Sequence, residues 1–166
     1  MGQEAKRDSY LDRAPAEAVL REAAAPHLDR GKRVQIRLSE GRQPEIPRRP
    51  EIVHGLRNLV QNAVDFAVSR VEIRLDWTTE RLSIRIHDDG PGFAPAVLDR
   101  IAGPRPGYEG MGLGLFIAKT LLERTGARLT FANDQGGGAV VIVAWPRELL
   151  AQASERAADL GGGGLL

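Results

Sequence analysis

Gly90, Gly92, Gly103, Gly107, Gly110, Gly112 and Gly114 all fall between positions 90 and 114, out of nineteen glycines in the chain. Glycine gathered in one interior stretch marks backbone that approaches something closely or takes conformations closed to other residues. Its surroundings limit the fold further. Before it, Val71-Glu72-Ile73-Arg74-Leu75 and Leu82-Ser83-Ile84-Arg85-Ile86 alternate apolar and polar residues, the pattern of an antiparallel hairpin. After it, Gly114 to Thr125 reads as an amphipathic helix stopped by Gly126. The loop therefore joins a sheet to a helix.

The remaining periodicities extend this to an α+β expectation: a mostly antiparallel, mixed sheet with helices packed on one face. Ala14 to His27 reads as a short helix and Val34 to Leu38 as a strand, and the proline-rich 41–50 segment reads as a loop. Glu51 to Val68 carries the strongest helical signal, with Val53, Leu56, Val60, Ala63, Val64 and Ala67 forming its apolar stripe. Strands are expected at Arg128 to Ala132 and Ala139 to Trp145. Residues 1–13 read as a flexible lead, 14–147 as the domain, and 148–166 as a partly helical tail.

Composition excludes several classes. A chain of 166 residues, 42% hydrophobic and 27% charged, suits one ordinary domain and is not disordered. With 23 basic against 22 acidic residues the net charge is +1, which gives no electrostatic reason to expect nucleic acid or direct membrane contact. The absence of cysteine removes disulfides, cysteine zinc sites, iron–sulfur clusters and thiol nucleophiles. No apolar run approaches the roughly 20 residues of a membrane span, and the polar start is no signal peptide.

Three groups carry chemistry. Asn58 and Asn62 share a face of the long helix, with Asp65 and Phe66 a turn further on. That face is either a solvated polar one or a row of amide oxygens for a hydrated cation such as magnesium. Asp88-Asp89-Gly90-Pro91-Gly92-Phe93 places a carboxylate at a strand end beside a turn, a sequence equally natural in an ordinary turn. Gly110-Met111-Gly112-Leu113-Gly114-Leu115 opens a helix whose free N–H groups and dipole suit phosphate. It fits neither the Rossmann nor the Walker spacing. The three histidines have no metal-ligand spacing, and no serine sits in a nucleophile elbow.

The order of these motifs resembles the catalytic ATP-binding domain of sensor histidine kinases, the Bergerat or GHKL fold shared with gyrase, Hsp90 and MutL ATPases. The wording of HGLRNLVQNAVDFA and GLGLFIAKTLLERTGA is similar to the redox-responsive RegB/PrrB subfamily. The resemblance implies ATP and magnesium as cofactors. Asn62 would hold the metal with support from Asn58, and Phe66 would pack on adenine. Asp88 would accept from the adenine amino group, and Gly90, Gly92 and Phe93 would form the base side. Gly110, Met111, Gly112, Leu113, Gly114 and Leu115 would wrap the phosphates.

In hydrolytic relatives a glutamate four residues before the metal-binding asparagine acts as general base. Here that position is Asn58, a neutral amide that cannot accept a proton from water. Phosphoryl transfer to histidine is therefore expected, with a non-catalytic nucleotide-binding module as the alternative and an ATP-hydrolysing switch disfavoured. None of the three histidines sits in an acceptor setting. The resemblance thus implies a separate dimerisation and phosphoacceptor domain, a response regulator downstream, a mainly monomeric fragment and a cytoplasmic location, whether or not the parent is membrane-anchored. Three departures stand out: Asp65 where the family carries a basic residue, a short 93–109 lid segment, and Ala139 in place of a small hydroxyl residue. Arg57 and Arg105 are candidates for compensating charge.

Overall fold

A computed structural model describes residues 12–102 and 113–151. Its main sheet has five strands, β2 (Arg33–Leu38), β4 (Arg70–Trp77), β5 (Arg81–Asp88), β6 (Arg128–Asn133) and β7 (Ala139–Pro146), in the order β2-β4-β5-β7-β6. Only β2 and β4 run parallel; every other neighbouring pair is antiparallel. A parallel pair needs a crossover, and the helix α2 (Pro50–Phe66) supplies it. The alternation read from the sequence is the cause of the layering. Val71, Ile73 and Leu75 on β4, Leu82, Ile84 and Ile86 on β5, and Val143 and Trp145 on β7 all turn to one face and are buried. There they meet Leu56, Leu59 and Val60 of α2, Val19 and Leu20 of α1 (Ala16–Ala24), and Ala118 and Leu122 of α4 (Leu113–Glu123).

Two details close the core. Gly55 lets α2 and α4 approach, since a Cβ there would lie 2.5 Å from Leu122 Cγ. Trp145 is fully buried, yet its Nε1–H donates to Thr125 Oγ1 at 2.8 Å, and that hydroxyl donates to the Leu122 carbonyl at 2.6 Å. No buried polar group of this pair is left unmatched.

The structure corrects three local expectations. Residues 13–15 are not frayed or helical: β1 (Arg13–Pro15) pairs antiparallel with β3 (Glu45–Pro47), inside the segment expected to be a loop. Three-residue strands carry no periodicity to read, and the pairing joins positions about thirty residues apart in sequence. The first helix starts at Ala16 because Pro15 precedes it in extended conformation, and it ends in a 3₁₀ turn, Ala25–His27. A helix not foreseen, α3 (Pro95–Ala102), follows the first glycine turn, with proline at its first position where the missing N–H costs nothing. After β7 the chain turns helical again over 147–151.

Candidate functional site

α2 brings Asn62 and Phe66 to one wall of a cavity of about 320 Å³, since residues four apart share a helix face. The cavity is further lined by Asp88, Gly92, Phe93, Val97, Leu115 and Ala139, a mostly apolar set with one carboxylate. Its size and lining lie within the range of small-ligand pockets, in which a few polar groups fix orientation.

Asp88 is 4% exposed. The backbone N–H groups of Gly90 and Ala139 donate to its Oδ1, at 2.8 and 3.4 Å. Among the described residues no donor engages Oδ2, so one oxygen of a buried carboxylate is left for a ligand's N–H. The neighbouring Asp89 is spent on the scaffold. It accepts from the N–H groups of Val68, Ser69 and Arg70 and from the Ser69 hydroxyl, at 2.6–3.1 Å for the shortest bond to each. Burial opposes its ionisation, but the Ser69 hydroxyl and the three amides hold its carboxyl well below the usual range. Two adjacent aspartates thus have opposite tasks, because alternate strand positions face opposite ways at the end of β5.

The glycines of this turn are needed for different reasons. A Cβ on Gly90 would lie 2.2 Å from the Phe66 carbonyl oxygen, so Gly90 lets the turn seat on the end of α2 rather than opening the cavity itself. Gly92 has φ +84, and a Cβ would lie 2.8 Å from Asn133 Oδ1. That asparagine clamps the next residue: Phe93 N–H donates to Asn133 Oδ1 at 2.6 Å, and Asn133 Nδ2 donates to the Phe93 carbonyl at 2.9 Å. The Phe93 ring meets Phe131 edge-on, with centroids 6.2 Å apart.

Asp65 does not enter the cavity. Arg30 pairs with it at 2.7 Å, while Lys32 Nζ donates to the Val64 and Asp65 carbonyls at the end of α2. Asp65, the acidic residue standing where the resemblance implies a basic one, is thus turned to Arg30 and away from the cavity. Arg57 is absent from the cavity wall too; its charge is felt by His27, whose pKa is lowered chiefly by burial, with Arg30 and Arg57 adding to the effect and Asp65 opposing it.

Of the sequence-derived site residues, Asn62, Phe66, Asp88, Gly92, Phe93 and Leu115 meet around the cavity. Asn58 and Gly90 do not line it, and neither do Leu113 and Gly114, which lie at the start of α4. Among the described residues a Cβ on Gly114 would meet nothing within 4 Å, so no close approach to them requires glycine there. Gly110, Met111, Gly112 and Arg105 lie outside the described residues. Sequence reasoning missed Asn133 and the scaffold role of Asp89. Asn133 is forty residues from its partner and belongs to no local pattern, whereas Asp89 had a visible signal in the doubled aspartate. Among the described residues no group of three or more His, Cys, Asp or Glu is placed to hold a metal, and no helix is long and apolar enough to cross a membrane.

Comparison with known proteins agrees with this architecture. Over 90% of its length the chain is 51% identical to the sensor histidine kinase RegB of Cereibacter sphaeroides, of which it spans 39%. The catalytic domain of histidine kinase ThkA superposes with a TM-score of 0.68 at 21% identity, over 81% of this chain and 96% of that one. The histidine kinase domain of the E. coli osmosensor EnvZ superposes with a TM-score of 0.64 at 24% identity, over 81% and 88%. Both likenesses establish the fold. Residues 48–149 match the family described as histidine kinase-, DNA gyrase B- and HSP90-like ATPase, and with more than half of its length so matched, this chain belongs to that family.

Proposed function

We propose that this chain is the catalytic domain of a sensor histidine kinase, binding ATP with magnesium in the cavity between α2, β5 and α4. The observation that carries the reading is Asp88: a buried carboxylate beside Phe66 in an apolar slot, with one oxygen held by backbone and the other without a donor among the described residues. Such a group accepts an exocyclic N–H of a flat base, and the ring packs on the apolar walls.

At the other side, the Asn62 side chain lines the cavity and makes no hydrogen bond among the described residues. Its amide oxygen suits magnesium, which takes oxygen ligands and retains water. When bound, the ion would neutralise phosphate charge during transfer. Asn58, one turn back, is a neutral amide and supplies no base for water. Asp88, the one carboxylate in the wall among the described residues, is taken up at the base end. Hydrolysis is therefore disfavoured, and a neutral imidazole, already a nucleophile, is the acceptor that needs least help.

That acceptor is not in the described domain. His27 sits against Arg30 and His87 against the Gly137 carbonyl, and His54 is exposed on α2. The γ-phosphoryl goes to a histidine on a helical dimerisation domain, and from the full kinase to a response regulator. ATP use places this domain in the cytoplasm, and the isolated chain is monomeric.

Titration with a non-hydrolysable ATP analogue, with and without magnesium, tests the binding step. Magnesium-dependent binding that loses its metal dependence in Asn62→Ala is expected, and no binding at millimolar analogue refutes the reading. Radiolabelled ATP should leave no stable phosphate on the isolated chain and should label an added helical acceptor domain. Tight binding without any transfer would favour a regulatory module instead.

A further inference from the structure

Away from the cavity, the sheet face turned from the helices carries a concentration of charge that the balanced composition hides. On that face stand Arg33 and Arg37 of β2, Arg70 and Arg74 of β4, Arg81 and Arg85 of β5, and Arg128 of β6, all exposed. The register sets like charges opposite one another: Arg33 against Arg70, Arg37 against Arg74, and Arg74 against Arg85. Directly opposed like charges weaken a sheet, so the fold gains nothing from this arrangement. Glu72 pairs with Arg37, Asp76 with Arg74 and Asp134 with Arg85. Among the described residues no acid pairs with Arg33, Arg70, Arg81 or Arg128.

Between the basic rows runs an apolar strip on β7. Ile142 and Ala144 form part of a shallow groove of about 480 Å³, with Arg81 and Arg128 also in its lining. Ser83 of β5, Ala144 of β7 and Arg128 of β6 lie in one row across the strands. At about 4.8 Å between strands, the basic residues on both sides fall within the ~10 Å width of one helix.

We propose that this face docks an acidic amphipathic helix of a partner protein. The helix lies along β7 with its apolar stripe over Ile142 and Ala144, and its carboxylates reach Arg81 on one side and Arg128 on the other. The strand from Ala139 to Pro146 runs about 25 Å, the length of roughly 17 helical residues. The arginine fork matches a carboxylate in two hydrogen bonds. The interspersed Glu72, Asp76 and Asp134 argue against a bilayer or a nucleic acid, because an unbroken anionic surface would be repelled at those points. A partner of discrete charges can step around them.

The test uses the whole chain, labelled with ¹⁵N, and a synthetic 17-residue helical peptide with leucines along one face and glutamates on both flanks. Expected are amide shifts on β5, β7 and β6, salt-sensitive binding, and at least about tenfold weaker binding by the Arg81→Glu/Arg128→Glu double variant. That variant should keep the dispersed amide spectrum of the parent, which shows that it is folded; Arg81→Gln/Arg128→Gln replaces it if it is not. The proposal is overturned by absence of peptide binding at millimolar concentration, by shifts confined to another face, or by equal binding of a lysine-for-glutamate peptide. It is equally overturned by tighter binding to phosphatidylglycerol vesicles or duplex DNA than to the acidic peptide. None of these outcomes depends on the nucleotide reading.

Discussion

Asn133 makes both of its side-chain hydrogen bonds to the backbone of Phe93, and through them a residue of β6 fixes a wall of a cavity reached from β5. Replacement by alanine removes both bonds, each worth about 1 kcal/mol net. The expected result is about a tenfold loss of nucleotide affinity, equivalent to about 1.4 kcal/mol. Asn133→Asp should be worse, since a carboxylate would face the Phe93 carbonyl. Calorimetric titration measures both, and unchanged affinity in either would show that Phe93 is held by other contacts. Asp89 gives a pH prediction. Its pKa is lowered in the folded chain, so its contribution is full at neutral pH and is lost as pH falls below the unfolded value of about 4. Asp89→Asn should cost about 1–2 kcal/mol at pH 7, and the difference from the parent should shrink in acid. Denaturant melts between pH 7 and pH 3 would show it, and a difference independent of pH would contradict it. Asp88, which lines the cavity, could be singled out from the sequence because its motif is local. Asn133 could not, because a clamp between residues forty apart leaves no mark on either neighbourhood.

At the level of elements, helix and strand signals were strong where period and length were both sufficient. α2, β4, β5 and β7 follow their apolar patterns within two or three residues. β1 and β3 leave no sequence signal because three residues cannot show a period, and α3 leaves little because its eight residues stand between two glycine-rich motifs. The contact between α2 and α4 belongs to this scale as well. Leu122 is fully buried, so it cannot swing aside for a Cβ on Gly55. Gly55→Ala should therefore destabilise by about 1–3 kcal/mol, as overpacking does, despite alanine's better helix propensity. Leu122→Ala alone should cost about 2–5 kcal/mol by leaving a cavity. The double variant should be less damaging than the sum, because the new methyl occupies space that leucine vacated. Additive losses in thermal melts would mean that the two helices are not in the contact described.

For the whole molecule, the cavity draws walls from both layers, α2 and α4 from one and β5 and β7 from the other. A ligand seated there ties the layers together and should stabilise the fold by mass action. At a hundredfold excess over its dissociation constant, magnesium–ATP analogue should add about 2.7 kcal/mol, raising the melting temperature by about 5–10 °C. Chelation with EDTA should remove most of that shift, and a shift insensitive to EDTA would separate nucleotide binding from the metal. The sequence by itself determined the α+β layering and singled out Asn62, Phe66, Asp88, Gly92, Phe93 and Leu115, which line one cavity, because hydrophobic period, glycine and short spacings act over a few residues. Only the tertiary structure decided that Asp65 turns to Arg30, that Asn133 holds Phe93, and that a chain of net charge +1 gathers seven exposed arginines on one sheet face. These depend on strand register and on which distant segments become neighbours, and summed composition is blind to both.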